Sequence, residues 1–405
     1  MSAVLRPGSQ HAWLLNAALA SGETARAAWA AWRREGDLDR LDAASYRLLP
    51  QLFVNLTDHG IDDPDLGRLR GVHRMSWYRN QILFDRSADA LRVLEERGVP
   101  TLVLKGAALA VLDYRDRGAR PMDDVDVAVP PSAAQRAIGL FRRMGWTPEL
   151  EPTPQLLRGR HSLGFLDAEG HGLDLHWRIF WQAGADQPLW AAARPLTLGG
   201  VATRALAPAD QLLHVCAHGV SWNPVPPFRW LADAHTVIGR QAIDWERLID
   251  QAAERRLSLA MADALGLLRD LLGTPVPEDA LVALGSVRFG RFERWAQGRL
   301  AQPPSARRSM AVTWLLWDRF RRQARVDRSR ADPVEFLRSL QGLWGLGSLN
   351  EVPAQGLRRL ARHGHVRIVG RAGLAGGEAL IGSKGVSGDH GSPSPTRLSG
   401  SARRC

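Results

Sequence analysis

The sequence predicts an α+β chain: a small mixed-sheet core flanked by N- and C-terminal helical regions. Two changes of hydrophobic period carry that reading. Up to residue 98 and again from residue 207, apolar residues recur every three or four positions, the spacing of one helix face. Between them, in 99–206, short runs alternate apolar with polar, the spacing of strands that bury one side. The break Gly98-Val99-Pro100 marks the first change.

In the N-terminal region, 1–98, Leu14, Leu15, Ala18 and Leu19 form one apolar face, and Leu48, Leu49, Leu52 and Phe53 form another. Ile82 through Leu94 reads as a long amphipathic helix ended by Gly98 and Pro100. The core then predicts a strand at Thr101–Leu104, a short helix at Ala107–Leu112, a loop over Tyr114–Asp123 and a strand at Asp124–Val129. Ser132 is placed to cap a helix that runs to Met144 and stops at Gly145. Strands at His161–Leu166 and Gly172–Trp177 flank the turn Asp167-Ala168-Glu169-Gly170. Helical spacing returns in the third region, 207–350, at Asp210–His218, Trp230–Gly239 and Trp245–Leu272, and less regularly over 278–350. The last stretch, 355–405, turns basic and then Gly/Ser/Pro-rich, and is expected to be disordered. The chain shows no internal repeat.

The chain has 405 residues, 45% hydrophobic and 23% charged, which is the composition of a soluble globular protein with room for more than one core. Its net charge of +11 looks like a nucleic-acid footprint until it is divided along the chain. The stretch beyond Ala354 holds nine of the 53 Lys and Arg residues and two of the 42 acids, so it carries +7 of the +11. Nucleic acid is therefore expected to meet only the basic tail. The two cysteines, Cys216 and Cys405, supply neither a disulfide framework nor a thiolate metal site, which fits the cytoplasm. Trp13–Ala20 follows Arg6 like a leader's apolar stretch, but Asn16 interrupts it and an amphipathic helix is the better reading. No apolar run approaches the length of a membrane span.

Chemistry concentrates in two short segments. Lys105 is the only lysine before Lys384, and it ends an apolar strand just ahead of Gly106. After the following loop comes Asp124-Val125-Asp126-Val127, which on a strand turns both aspartates to one face and both valines into a core. Like charges side by side need a cation to hold them. A third acid, Asp174, alternates in Leu173-Asp174-Leu175-His176, so Asp174 and His176 share a face. If the two strands neighbour each other, Asp124, Asp126 and Asp174 converge as oxygen ligands for Mg2+, which also bridges to substrate phosphates.

Leu104-Lys105-Gly106-Ala107-Ala108-Leu109, then Tyr114, Gly118, Arg120-Pro121-Met122 and Asp123-Asp124-Val125-Asp126, resembles the uncharacterised nucleotidyltransferase family of the polymerase-β-like superfamily. Asp174-Leu175-His176-Trp177, Pro208–His214, His218 and Arg229–Asp233 look like that family's later blocks, so the resemblance covers roughly residues 10–275. It implies a small mixed-sheet nucleotidyltransferase core. Asp124 and Asp126 would be the paired metal ligands and Asp174 the third acid. The implied reaction moves a nucleoside monophosphate from an NTP such as ATP to an acceptor hydroxyl, with Lys105, Gly106 and Arg120 at the nucleotide and His176 contacting substrate.

Plainer roles exist for several of these residues. Lys105 would otherwise be a lysine capping a strand, Arg120 a partner for Asp123, and His176 a structural histidine. Gly106 is read as the residue that lets the backbone turn towards a ligand. Asp210, His214 and His218 recur every four residues on one helix face, yet lack the glutamate of a zinc-protease helix. The turn Lys105-Gly106-Ala107 differs from the superfamily's Gly followed by Gly or Ser, so a catalytically silent nucleotide- or partner-binding module stays open.

Overall fold

A computed structural model describes residues 7–219, 228–287, 294–295 and 306–364. Its centre is a seven-stranded mixed sheet in the order β3-β4-β5-β2-β1-β7-β6. The strands are β1 Leu102–Leu104, β2 Asp124–Ala128, β3 Thr147–Pro148, β4 Ser162–Leu166, β5 Gly172–His176, β6 Arg194–Leu198 and β7 Val201–Ala205. The α+β expectation holds, with helices before, between and after the strands.

Alternation fixes which side chains each strand buries. Val125, Val127, Leu173 and Leu175 are fully enclosed and pack with Leu91, Leu94 and Phe141 beneath the sheet. Each such side chain contributes about 1.5–3 kcal/mol on burial, so shifting β2 or β5 by one residue would turn its two apolar side chains out, bring Asp126 or Asp174 into the core, and is strongly opposed. β1, with three buried residues, lies between antiparallel β2 and parallel β7. β2 runs parallel to β5.

The sheet has three more strands than the sequence pattern predicts. β3 is only two residues long. β6 and β7 form a hairpin around Gly199-Gly200, both with positive φ (53° and 81°), a turn that glycines adopt at least cost. Its signal was present in Leu196, Leu198 and Val201 around a Gly-Gly pair. Pro195 is tolerated because β6 is an edge strand.

The helix Leu66–Glu96 lies across the sheet, and its fully buried Asn80 donates to the carbonyls of Arg117 (2.6 Å) and Arg120 (2.9 Å). That holds the loop leading into β2. The helix Ser9–Leu19 buries Leu14, Leu15, Ala17 and Ala18, and Asn16 donates to the Leu271 carbonyl, so the leader-like segment is a docked helix. Ser132 does not cap the next helix. Pro131–Ala133 forms a 3-10 turn, and Ala133 precedes the helix Ala134–Arg143, because two consecutive prolines set the entry. A helix also spans Glu351–Gly364, running past the boundary expected at Ala354. The rest of the expected disordered tail, 365–405, lies outside the described residues. Among the described residues no helix is long and apolar enough to cross a membrane.

Candidate functional site

Where β1 ends, the chain turns directly into the helix Lys105–Leu112. Lys105 makes that turn with φ 43°, in the left-handed region that non-glycine residues seldom occupy, at a cost on the order of 1 kcal/mol. The left-handed residue is thus Lys105, and Gly106 has another job. A Cβ on Gly106 would sit 2.2 Å from Arg120 Nη1 and 2.9 Å from Met122 Sδ, so the glycine leaves space for a buried guanidinium.

Parallel pairing sets Asp126 directly beside Asp174, and Ala128 beside His176. Ligand atoms of Asp126, Asp174 and His176 all lie within 4.8 Å of one another. Asp126 Oδ1 accepts from Lys105 Nζ at 2.6 Å and from His176 Nε2 at 3.0 Å. A carboxylate only accepts, so Nε2 carries the proton; His176 Nδ1 is buried with no partner. Asp124 stands outside this triplet. Two residues along a strand is about 6.6 Å, so a carboxylate at i+2 shares the face without reaching the same point. Asp124 is half-buried at the start of β2.

The charges oppose one another. Burial pushes the Asp126 carboxyl up, but the Lys105 charge and the His176 hydrogen bond outweigh it and hold Asp126 well below the usual carboxylate value. For Lys105, burial works against the charge, while Asp126, Asp174 and Asp124 keep its pKa above the ordinary lysine value. Asp174 is pushed up to about 6, by burial first and by the Asp126 charge next. The cluster is therefore short of positive charge at neutral pH, and two carboxylates with an imidazole are donors able to hold a metal ion.

A further acid flanks Asp174. A Cβ on Gly164 would meet Glu149 Oε2 at 2.4 Å and Asp174 Oδ1 at 3.0 Å, so the two carboxylates face each other across that glycine. No local pattern marks Glu149, since only the β3–β4–β5 pairing brings it there.

Arg120 is not the partner of Asp123. Its Nε and Nη2 bind the two oxygens of Asp233 at 3.1 and 2.8 Å, deep inside the protein, and Tyr114 Oη donates to the same carboxylate at 2.8 Å. Asp123 is taken by Arg47, which follows the short helix Ala43–Tyr46. Arg229, opening the helix Arg229–Arg240, donates from Nη1 to the Pro121 carbonyl at 3.1 Å. Burial pushes the Arg229 guanidinium down to about 9, and the charges of Arg120 and Arg47 push the same way.

Histidines line the Asp174 side. The His161 ring meets His176 edge-on at 5.3 Å and Trp181 at 5.4 Å, and Arg319 stacks over Trp181 at 3.8 Å. Burial keeps His161 and His214 neutral, and the Lys105 charge pushes His218 down to about 3. Asp210 gives both oxygens to Arg247 and His214 gives Nε2 to the Ile179 carbonyl, so among the described residues these two side chains are engaged in packing the helix and do not share a cation site.

A profile of the family described as "Uncharacterised nucleotidyltransferase" matches residues 40–273, more than half of the chain, and the chain belongs to that family. Two solved structures align with it. One is the lincosamide antibiotic adenylyltransferase LnuA in its lincomycin-bound form, at 17% identity and a TM-score of 0.28, covering 37% of this chain and 93% of that one. The other is an antigenic nucleotidyltransferase-like protein from Paracoccidioides brasiliensis, at 13% identity and a TM-score of 0.33, covering 50% and 95%. No curated protein matches the chain.

Proposed function

We propose that this member of the nucleotidyltransferase family transfers a nucleoside monophosphate from an NTP, ATP among them, to an acceptor hydroxyl and releases pyrophosphate. The observation that carries the reading is the β2–β5 register, which sets Asp126 beside Asp174 while their surroundings drive their acidities apart. Such a separation assigns two roles. Asp126 stays ionised across the working pH range and serves as a permanent charge. Asp174, near 6, ionises just below neutrality and is suited to take a proton.

Asp126 and Asp174, with Asp124 at the edge, would hold Mg2+, which supplies charge neutralisation at the transferring phosphoryl group. Asp174 accepts the proton as the acceptor oxygen bonds to the α-phosphorus and the bond to pyrophosphate breaks. Lys105 offsets negative charge beside Asp126 and aligns its carboxylate. His176 orients the same carboxylate from the other side. Gly106 leaves room for Arg120 close behind the turn, from where its charge would help to offset that of the incoming phosphates.

The regions 1–98 and 207–350 act as helical supports around a catalytic core at 99–206, and the buried free thiol of Cys216 suits a cytoplasmic setting. Incubating the pure protein with α-labelled NTPs, Mg2+ and a host-cell extract should yield a labelled product. Absence of label from every fraction, with NTP binding intact, would favour the silent nucleotide-binding alternative, in which Lys105 already neutralises Asp126.

A further inference from the structure

Arg47, Arg120 and Arg229 come from the N-terminal helical region, the core loop and a C-terminal helix, and all converge on residues 120–124. Arg47 pairs with Asp123, Arg229 bonds the Pro121 carbonyl, and Arg120 lies between them with Nη1 turned to Gly106. Three guanidinium groups in one place repel one another, and a fold pays for such a cluster only where something offsets it. Three carboxylates already do part of that work: Asp123 and Asp233 in ion pairs, and Asp124 through its charge on Arg47 and Arg229. Asp233 holds Arg120 from the same helix that presents Arg229, four residues apart on one face. Among the described residues, the hydrogen-bond partner of Arg229 is a neutral carbonyl. Burial together with Arg120 and Arg47 weakens its hold on its proton, and Arg47 is lowered by burial and by Arg120 in the same way. The cluster lies beside Asp124, whose charge acts on both Arg47 and Arg229.

We propose that Arg47 and Arg229, with Arg120 fixed between them, form the polyphosphate seat of the site, so that the β- and γ-phosphates of an NTP lie against the Asp124 side. Guanidinium forks suit this task because they bind phosphate oxygens two at a time. The arrangement would orient the substrate, with phosphates among the arginines and the acceptor hydroxyl towards Asp174 and Glu149. The identity of the anion rests on the transferase reading, whereas its place rests on the geometry. Two of the three seats come from the flanking helical regions, so binding polyphosphate would tie both of them to the core.

The test is calorimetric binding of tripolyphosphate, pyrophosphate, inorganic phosphate and MgATP to the full chain and to Arg47→Ala, Arg47→Lys and Arg229→Ala. Wild type should bind tripolyphosphate at least tenfold more tightly than inorganic phosphate, with affinity falling as salt rises. Arg47→Ala and Arg229→Ala should each lose tenfold or more for tripolyphosphate and MgATP, yet bind Mn2+ alone as wild type does. Arg47→Lys should recover part of the loss and, as a surface change, keeps the test valid if Arg229→Ala fails to fold. Undiminished tripolyphosphate affinity in folded Arg47→Ala, or no preference for tripolyphosphate in wild type, overturns the proposal. Arginine-dependent binding without any label transfer would leave the seat standing and remove the transferase reading. Full label transfer by Arg47→Ala at low NTP would do the reverse.

Discussion

Gly106→Ala tests the packing on which the site is built. The added methyl would lie 2.2 Å from Arg120 Nη1 and 2.9 Å from Met122 Sδ, both far inside contact distance. An arginine tip usually swings away at little cost, but this one is clamped through Nε and Nη2 to Asp233 and buried to 5% exposure. Moving it weakens two charge-assisted hydrogen bonds, each contributing about 1.5–3 kcal/mol. Complete rupture of a buried pair costs about 3–5 kcal/mol. A destabilisation of about 3 kcal/mol is expected, which for a chain of this size lowers Tm by roughly 4 °C. The assay is urea unfolding together with the same substitution in an Asp233→Leu, Arg120→Met background, where the clash is with a flexible uncharged chain. There the cost of Gly106→Ala should fall below about 1 kcal/mol. Equal stability of Gly106→Ala and wild type, or equal cost in both backgrounds, would refute the role given to the glycine.

Asp126→Asn should lower stability in chelator, by less than the about 3–5 kcal/mol of a fully unpaired buried ion, because Lys105 loses its hydrogen-bonded carboxylate and keeps only the Asp174 and Asp124 charges; simple relief of repulsion between Asp126 and Asp174 would instead raise Tm. Asp174→Asn should do the opposite without metal. Its folded pKa of about 6 exceeds the unfolded value of 3.8, so its stabilising contribution is full below about pH 3.8 and lost as pH rises through 6. The mutant should therefore melt higher than wild type at pH 7–8, by on the order of 2 kcal/mol, and no higher at pH 3.5, as read by calorimetry. In label transfer, Asp174→Asn should lose on the order of a hundredfold in kcat with NTP affinity changed far less; full turnover would move the proton acceptor to Glu149. Gly342→Ala places a Cβ 1.7 Å from the Gln155 carbonyl, so the helix Pro333–Trp344 should detach from Pro154–Gly159 and exchange its amides faster, and unchanged exchange would show that the backbones can separate without loss.

Much of the centre was legible in the sequence. Alternation in Asp124–Val127 and Leu173–His176 fixes which residues share a face, because a strand turns successive side chains to opposite sides whatever it packs against. It was enough to predict the shared face of Asp174 and His176 and the enclosed valines. The same pattern left the order of strands open. That β2 and β5 are neighbours, and that Asp126 rather than Asp124 is opposite Asp174, came from pairing across the intervening 45 or so residues. The hairpin at Gly199-Gly200 had its turn signal in plain view, whereas two-residue β3 had none because two residues carry no period.

The cations follow the same division. Lys105 stood out by its rarity and its place at a strand end, and tertiary structure gave it a partner, Asp126. Arg120 was visible as a motif residue, but its counter-ion Asp233 lies 113 positions away. Arg47 carried no local mark among the chain's many arginines, and Arg229, though it opens a family-like block, carried nothing that tied it to residues 120–124. A sequence records what each residue needs of its immediate neighbours, through period, turn chemistry and composition. Which distant charges share one low-dielectric space depends on how helices dock, and that docking is driven by apolar faces that do not contain the charges themselves. The faces were determined residue by residue along the chain; the meeting of Arg47, Arg120 and Arg229 beside Asp124 was decided only when those faces closed on one another.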